Sequence, residues 1–324
     1  MVLVLCLWED AMSDFWHGKH VCVTGGAGFL GKHVVAELTR RECQNIFVPR
    51  SEDFDLTTEA GVAHMYDERH FDVVLHLAAV CGGIGANQAR PGKFFRDNAV
   101  MGINLMHAAL KHGVGKFVQV GTVCMYPRNC PVPFKEEDLW NGYPEETNAP
   151  YGLAKKSLLV MAQAYREEYG LNVIFLVPVN LYGTGDNFDL KTSHVIPAMI
   201  RRCVDAVRKN RRIVELWGTG VPSREFLYVE DAAEALVLAA ERYDGPKPMN
   251  LGTGREVTMR DLAGMVAKAT GFGGSFFWNR NKPNGQPRRC LDTSRAEEAL
   301  GWKAKTSLED GIRKTVEWYT CQAR

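Results

Sequence analysis

The sequence predicts an α/β protein, a doubly wound parallel sheet carrying a second, smaller α/β lobe. Three observations predict it. A β-branched stretch, His20–Thr24, runs straight into Gly25-Gly-Ala-Gly28-Phe-Leu-Gly31 and then into a helical pattern from Lys32 to about Arg41. The run Asp72–Ala79 is almost wholly apolar, as strands covered on both faces must be. At 324 residues the chain is long enough to bury a large core and to divide into two lobes.

Hydrophobic residues make up 46% and charged residues 24%, and the 39 basic and 38 acidic residues leave a formal charge of +1. That balance offers no electrostatic footprint for nucleic acid or for a membrane surface. Nine cysteines are scattered with no CxxC pair, and an odd count does not close a disulfide framework. A reducing, cytoplasmic location is expected, and no metal-ligand set is predicted. Met1–Trp8 is apolar but short and lacks a basic flank, so it does not read as a signal peptide. Met12 offers an alternative start, which would make residues 1–11 an extension.

Strand, Gly-x-x-Gly-x-x-Gly, helix is an arrangement that binds dinucleotides. Gly25 permits the tight turn, Gly28 lets backbone approach the pyrophosphate, and Gly31 lets helix pack on strand, with the helix N-terminus facing the anion. Phe29 and Leu30, inside the motif, join the expected cofactor contacts. The second strand, Asn45–Pro49, ends in Arg50-Ser51. A basic residue there suits a 2′-phosphate, whereas an NAD site places an acid; NADP(H) is expected, although Glu52 and Asp53 follow. Asp55 and Leu56 are expected near the adenine. Leu77, Ala78 and Ala79, at the end of the Asp72–Ala79 strand, are expected against the cofactor, and His76 reads as a core histidine. Cys81–Asn87 is a glycine-rich loop at the carboxyl end of that strand, where such sheets bind ligands. Phe94–Lys111 reads as a long helix whose Asn98 either holds the site or faces solvent.

The next strand, Lys116–Gly121, delivers Thr122-Val-Cys-Met-Tyr-Pro127 to the crevice. Asn148-Ala-Pro150 supplies a helix start. Tyr151 and Lys155 then share one face of that helix, being four residues apart. A free tyrosine is a poor acid–base at neutral pH, and a neighbouring ammonium with a positive nicotinamide ring is expected to lower its pKa. Thr122 is placed to bond the same carbonyl oxygen. Further on, Leu171–Pro178 reads as a strand, Val195–Val207 as an amphipathic helix, Met249–Gly254 as a returning strand and Val257–Thr270 as a helix. In the loop 282–288, Lys282 and Arg288 are candidates for the phosphates or base of a nucleotide. Glu297–Trp302 and Ser307–Tyr319 read as closing helices.

The glycine-rich turn, Thr122 and Tyr151-xxx-Lys155 resemble the extended short-chain dehydrogenase/reductase family. Within it, His76-Leu-Ala-Ala-Val-Cys-Gly-Gly-Ile-Gly, Gly121-Thr-Val-Cys-Met-Tyr-Pro, Pro178-Val-Asn-Leu-Tyr-Gly and Asp186-Asn-Phe…Ser193-His-Val-Ile-Pro197 resemble the GDP-L-fucose synthases from about residue 18 to the C-terminus. The resemblance implies epimerisation at C3 and C5 and reduction at C4 of a GDP-linked keto-deoxy sugar. It makes Cys124 and His194 the pair exchanging ring protons next to a ketone. Thr122 and Tyr151 would steady the enolate, and Lys155 would support the tyrosine. Many members carry serine at Thr122, whose hydroxyl serves equally. Pro178, Asn180, Leu181 and His194 are implied at the cofactor, and Asn180, Arg202, Trp217 and Arg224 at the sugar nucleotide.

The chain is thus read as an extension (1–17), an NADP-binding domain (18–178) and an interleaved sugar-nucleotide domain (179–324), with segments near 223–252 returning to the first. It is expected to form a homodimer. A GDP-mannose 3,5-epimerase is the rival reading, disfavoured because that family carries lysine at His194. An epimerase/reductase of another NDP-keto sugar, such as a heptose, and a non-catalytic NADP-binding regulator are the others.

Overall fold

β1 (His20–Thr24) lies between β2 (Asn45–Phe47) and β3 (Val73–His76), and this placement decides where ligands go. In the computed structural model, which describes residues 15–322, the chain runs outward from β1 to β2 and returns across β1 to β3. It then continues to β4 (Lys116–Val120), β5 (Val173–Pro178) and finally β9 (Met249–Leu251), giving the order β2-β1-β3-β4-β5-β9 with every pairing parallel. Reversal of direction at β1/β3 leaves a crevice outside the carboxyl ends of those strands.

Helices cover both faces. α1 (Phe29–Arg40), α2 (Glu59–Glu68), α3 (Ile84–Ala89), α4 (Pro91–Lys111) and α5 (Ala149–Tyr169) come from the first half of the chain. α4 begins at Pro91, three residues before the expected Phe94, because proline fits the first turn where no intrahelical donor is needed. α5 stops at Gly170, whose φ of 70° is left-handed. β2 ends two residues short of Pro49, which has no N–H for the ladder. β3 ends at His76 rather than Ala79, since Leu77 N and Ala78 N turn aside to Thr24 O (3.1 Å) and Thr24 Oγ1 (3.3 Å). Half of the expected loop 81–87 is helical, as α3.

β6 (Asn180–Tyr182), β8 (Ser223–Tyr228) and β10 (Glu256–Thr258) form a three-stranded sheet, and β7 (Ile213–Trp217) pairs in parallel with β11 (Ser275–Asn279). With α6 (Val195–Arg208), α8 (Met259–Thr270) and α10 (Leu308–Gln322) they enclose a second core containing Ile200, Leu216, Phe226, Leu262 and Ile312. Two segments of this half belong to the first core instead. α7 (Val229–Arg242) packs on α1, and β9 adds itself to β5 as the edge of the large sheet. α9 (Ser294–Leu300) lies against both.

Residues 1–14 of the expected extension lie outside the described residues. Trp16, counted with that extension, is fully buried in the first core, and its indole N–H donates to the Glu241 carboxylate. No helix of the described residues is long and apolar enough to cross a membrane.

Candidate active site

The β1/β3 crevice opens into a cavity of about 570 Å³ that continues under β6, β8 and α6. Its first wall is the β1–α1 turn. A Cβ on Gly25 would stand 2.7 Å from Ala78 N, and one on Gly31 would stand 2.1 Å from Gly25 O. Both are fixed backbone atoms, so only glycine allows strand, turn and helix to close this tightly. α1 starts at an exposed glycine, Gly28, with no side-chain cap, and the residues of its first turn line the cavity. An uncapped helix N-terminus behind a glycine cradle is what a pyrophosphate requires, so the residues present fit a dinucleotide. Phe29, Leu30, Leu77, Ala78 and Ala79 line the same end, and Pro178, Asn180 and Leu181 line it from β5 and β6.

Asn98 holds this wall in place. Buried on α4, it accepts from Val80 N (3.1 Å) and donates to Val80 O (2.9 Å) and Phe94 O (2.7 Å), which pins the segment after β3. Of its two sequence readings, the structure selects the architectural one. His76 is a core residue, its Nδ1 2.8 Å from Thr24 Oγ1, and burial holds its pKa well below the usual imidazole range.

Thr122, Cys124, Tyr151, Lys155 and His194 all line the cavity. Thr122 leaves β4 and Cys124 follows on a single 3₁₀ turn (Val123–Met125), Cys124 N donating to Thr122 Oγ1 at 3.3 Å. α5 can press on that turn because of Gly152, where a Cβ would stand 2.2 Å from Cys124 O. This close approach carries Asn148, Tyr151 and Lys155 to the sulfur's side of the cavity. Asn148 Nδ2 donates to Cys124 Sγ at 3.2 Å, and Arg289 Nη1 points at the same sulfur from 3.8 Å.

Burial lowers the Lys155 ammonium from 10.5 to about 8. Burial also raises Tyr151 well above its ordinary value. The Cys81 and Cys124 thiols push the same way, and only the Thr122 hydroxyl lowers it. The lowering expected from Lys155 is therefore not delivered by the chain's own groups: Tyr151 is a neutral phenol that can donate a proton. His194 stands just before α6, open to the cavity but crowded by protein, and burial lowers its pKa, keeping the imidazole neutral at physiological pH.

The far end of the cavity is cationic. Arg202, Trp217 and Arg224 line it, together with Arg289, which the sequence reading passed over in favour of its neighbour. Arg224 reaches Ser223 O (2.7 Å) and Asn284 O (3.1 Å), and buried Arg289 is held by Gln286 Oε1 (3.2 Å). Neither guanidinium has a carboxylate ion-pair partner among the described residues, and burial, with Arg289 beside it, lowers Arg224 to about 9. A half-buried and a buried cation, both held by neutral acceptors, make an anion site. Arg202 donates to Glu215 O at 2.6 Å on the same wall.

Five expected contacts are not brought to the cavity wall. Arg288 turns outward and is committed to the Glu256 carboxylate, while Lys282 sits 5.2 Å above the Trp217 ring, outside the lining residue it covers. Arg50 is exposed at the end of β2, 3.7 Å from Glu52. Asp55 uses its carboxylate on Thr57 N and Oγ1 (2.9 and 2.7 Å), and Leu56 is buried in the first core. Asn148, read only as a helix start, is the contact that no spacing rule would have found.

Residues 21–252 match the NAD dependent epimerase/dehydratase family. GDP-L-fucose synthase 1 of Arabidopsis thaliana is 39% identical over 310 residues, covering 96% of this chain and 95% of that protein. A GDP-6-OMe-4-keto-L-xylo-heptose reductase from C. jejuni superposes with a TM-score of 0.89 at 29% identity, over 94% of this chain and 98% of that one. A GDP-L-fucose synthetase from Naegleria fowleri, solved bound to NADP, superposes with a TM-score of 0.87 at 26% identity, over 94% of this chain and 95% of its own. The family match over residues 21–252, with 39% identity to a relative across 96% of the chain, places this chain in the NAD dependent epimerase/dehydratase family.

Proposed function

We propose that the protein is an NADPH-dependent 3,5-epimerase/4-reductase that converts GDP-4-keto-6-deoxy-D-mannose to GDP-L-fucose. One observation carries the reading: Cys124 and His194, a thiol and an imidazole, open into the same cavity as the Thr122/Tyr151/Lys155 cluster, with a paired-arginine anion site beyond.

The chain's own groups divide the work. Arg224 and Arg289, with Arg202, take the diphosphate and set the sugar's depth. A ketone at C4 acidifies the hydrogens at C3 and C5, so Cys124 and His194 remove and return protons there. Thr122 and Tyr151 donate hydrogen bonds to the oxygen on which enolate charge collects. Bound NADPH supplies the hydride that takes the C4 ketone to the alcohol. Tyr151, a neutral phenol, gives its proton to the new alkoxide, and Lys155 steadies the phenolate left behind. Gly25, Gly28 and Gly31 cradle the pyrophosphate, and exposed Arg50 at the end of β2 suits the 2′-phosphate. The proposal includes the two lobes of the sequence reading, one for each ligand.

Homodimerisation and a cytoplasmic location belong to the same reading. The two longest helices, α4 and α5, expose Phe95, Ile103, Val160 and Tyr169, apolar surface that suits a second copy, and the described cysteines are all unpaired.

Incubation with the keto-deoxymannose nucleotide and NADPH tests the reading: substrate-dependent loss of NADPH absorbance with a fucose product is expected. Ring-proton exchange without cofactor oxidation would instead identify a 3,5-epimerase. The likeness to the C. jejuni reductase favours one second reading, a GDP-4-keto-heptose substrate, which the same assay separates by substrate preference.

A further inference from the structure

Glu145 is a carboxylate on the cavity wall that neither the anion site nor the reacting centre uses. Its backbone is tied to the segment that follows the Cys124 turn. Pro144 pairs antiparallel with Pro127, and Arg128 N donates to Tyr143 O at 2.9 Å. Asn148 N then closes the next turn on Glu145 O (3.2 Å), so one turn carries both Glu145 and the amide that reaches Cys124 Sγ. Of the carboxylate oxygens, Oε2 takes Thr147 N (3.3 Å) and Thr147 Oγ1 (3.2 Å). Oε1 bonds nothing among the described residues, and it is not one of the unpaired atoms they seal from solvent; it is open to the cavity.

The surrounding charges decide what this oxygen can hold. Arg224 lies within electrostatic reach of both the Cys124 thiol and the Glu145 carboxylate. A carboxylate repels the diphosphate that the arginines attract, and it accepts hydrogen bonds without donating them, so its partner on the substrate is a donor. In a sugar nucleotide the diphosphate hangs on C1, and the thiol works at C3 or C5. The atom joining C1 to C5 is the ring oxygen, which has no hydrogen to give. The atom joining C1 to C3 is C2, and it bears a hydroxyl.

We propose that Glu145 is a specificity-determining residue whose Oε1 accepts the C2 hydroxyl of the hexose. The inference rests on the epimerase/reductase reading above and names the sugar feature that the site recognises.

The test compares wild type, Glu145→Gln and Glu145→Ala on the keto-deoxymannose nucleotide and on its 2-deoxy counterpart, read as kcat/KM from NADPH consumption. Glu145→Gln keeps an acceptor for Thr147, and so the turn, but puts an amide N–H₂ in place of the open oxygen. Any intrinsic difference in reactivity between the two substrates is common to all three proteins and cancels in the comparison. Wild type is expected to prefer the 2-hydroxylated substrate by about tenfold or more, the value of a hydrogen bond to a charged acceptor, and both variants to bring that preference close to one. NADPH affinity in a fluorescence titration should be unchanged. A preference that survives intact in both variants, with the two substrates slowed alike, would overturn the inference and leave Glu145 a brace for its turn. Equal use of both substrates by wild type would overturn it as well. Wild type consuming neither substrate while binding NADPH would bring down the functional reading itself, and the inference with it.

Discussion

The two ends of the cavity are built by opposite means. At the cofactor end, seven consecutive residues, Gly25 to Gly31, form the whole cradle, and the atoms that define it belong to the backbone. At the sugar-nucleotide end, Arg202, Arg224 and Arg289 come from α6, β8 and a coil near the C-terminus, and only side chains meet. A backbone site is intolerant of any added atom but indifferent to chemistry elsewhere. A side-chain site can be retuned one residue at a time. The reacting centre lies where the two constructions meet.

The largest effect should come from that junction. Tyr151→Phe removes the phenol proposed to protonate the reduced oxygen and leaves both ends unchanged. We expect kcat for reduction to fall by about 10²–10⁴-fold, the range for loss of a general acid, with NADPH affinity retained in a fluorescence titration. A variant that turns over normally would separate Tyr151 from the chemistry.

Lys155 sharpens the contrast from the inside, because its charge is buried with no ion-pair partner among the described residues. Its pKa falls from 10.5 in the unfolded chain to about 8 in the fold. Between those values the unfolded state holds the extra proton, so this group's contribution to unfolding free energy rises with pH across that window. Below pH about 8 the fold bears the full cost. Lys155→Met should therefore be more stable than wild type at neutral pH, by on the order of 3 kcal/mol at most, and the gain should vanish as pH climbs through the window. Urea unfolding of both proteins at neutral and alkaline pH checks this; a pH-independent difference would mean that burial of the charge is not the cause.

At the anion end, Arg289→Met keeps the stem but deletes one of the paired cations. A charge-assisted hydrogen bond lost on binding predicts a rise of about 10–100-fold in KM for the sugar nucleotide, with NADPH affinity unchanged. An equal loss in both ligands would erase the distinction between the two ends.

How much of this was legible in the sequence follows the same division. The cradle, the individual parallel strands and the Tyr151/Lys155 face are local patterns, fixed by turn chemistry, apolar runs and helical period, and strand ends shifted by a few residues, as where Pro49 and Thr24 redirected the backbone. Thr122, Cys124 and His194 could be named because their short motifs resemble a family. Whether they share one cavity depends on tertiary contact, here the glycine-permitted approach of α5 at Gly152. Trp16 looked like part of a tail because one indole carries no periodicity. Tyr151 was expected at a lowered pKa from a neighbouring ammonium and a bound nicotinamide ring, because sequence does not show the burial that raises it in the chain alone.

Arg288 and Arg289 concentrate that lesson in one dipeptide. The segment is coil, so no period says which side chain faces inward, and the choice falls to side-chain partners, two of them (Glu256 and Cys124) far away in sequence. Glu256 takes Arg288 outward, where it is 59% exposed, while Gln286 and the Cys124 sulfur hold Arg289 at the cavity wall. Arg288→Met should accordingly give the smallest effect of the set. KM for the sugar nucleotide should stay within about twofold, and the loss of an exposed ion pair should cost no more than about 1 kcal/mol in urea unfolding. The adjacent Arg289→Met, with the same volume lost one position along, shares every non-specific consequence of the change, so the difference in KM between the two isolates the inward-facing charge. Equal KM values for both would mean that the coil presents either arginine to the substrate, and the anion end would then be set by local charge density rather than by the two partners that sort the pair.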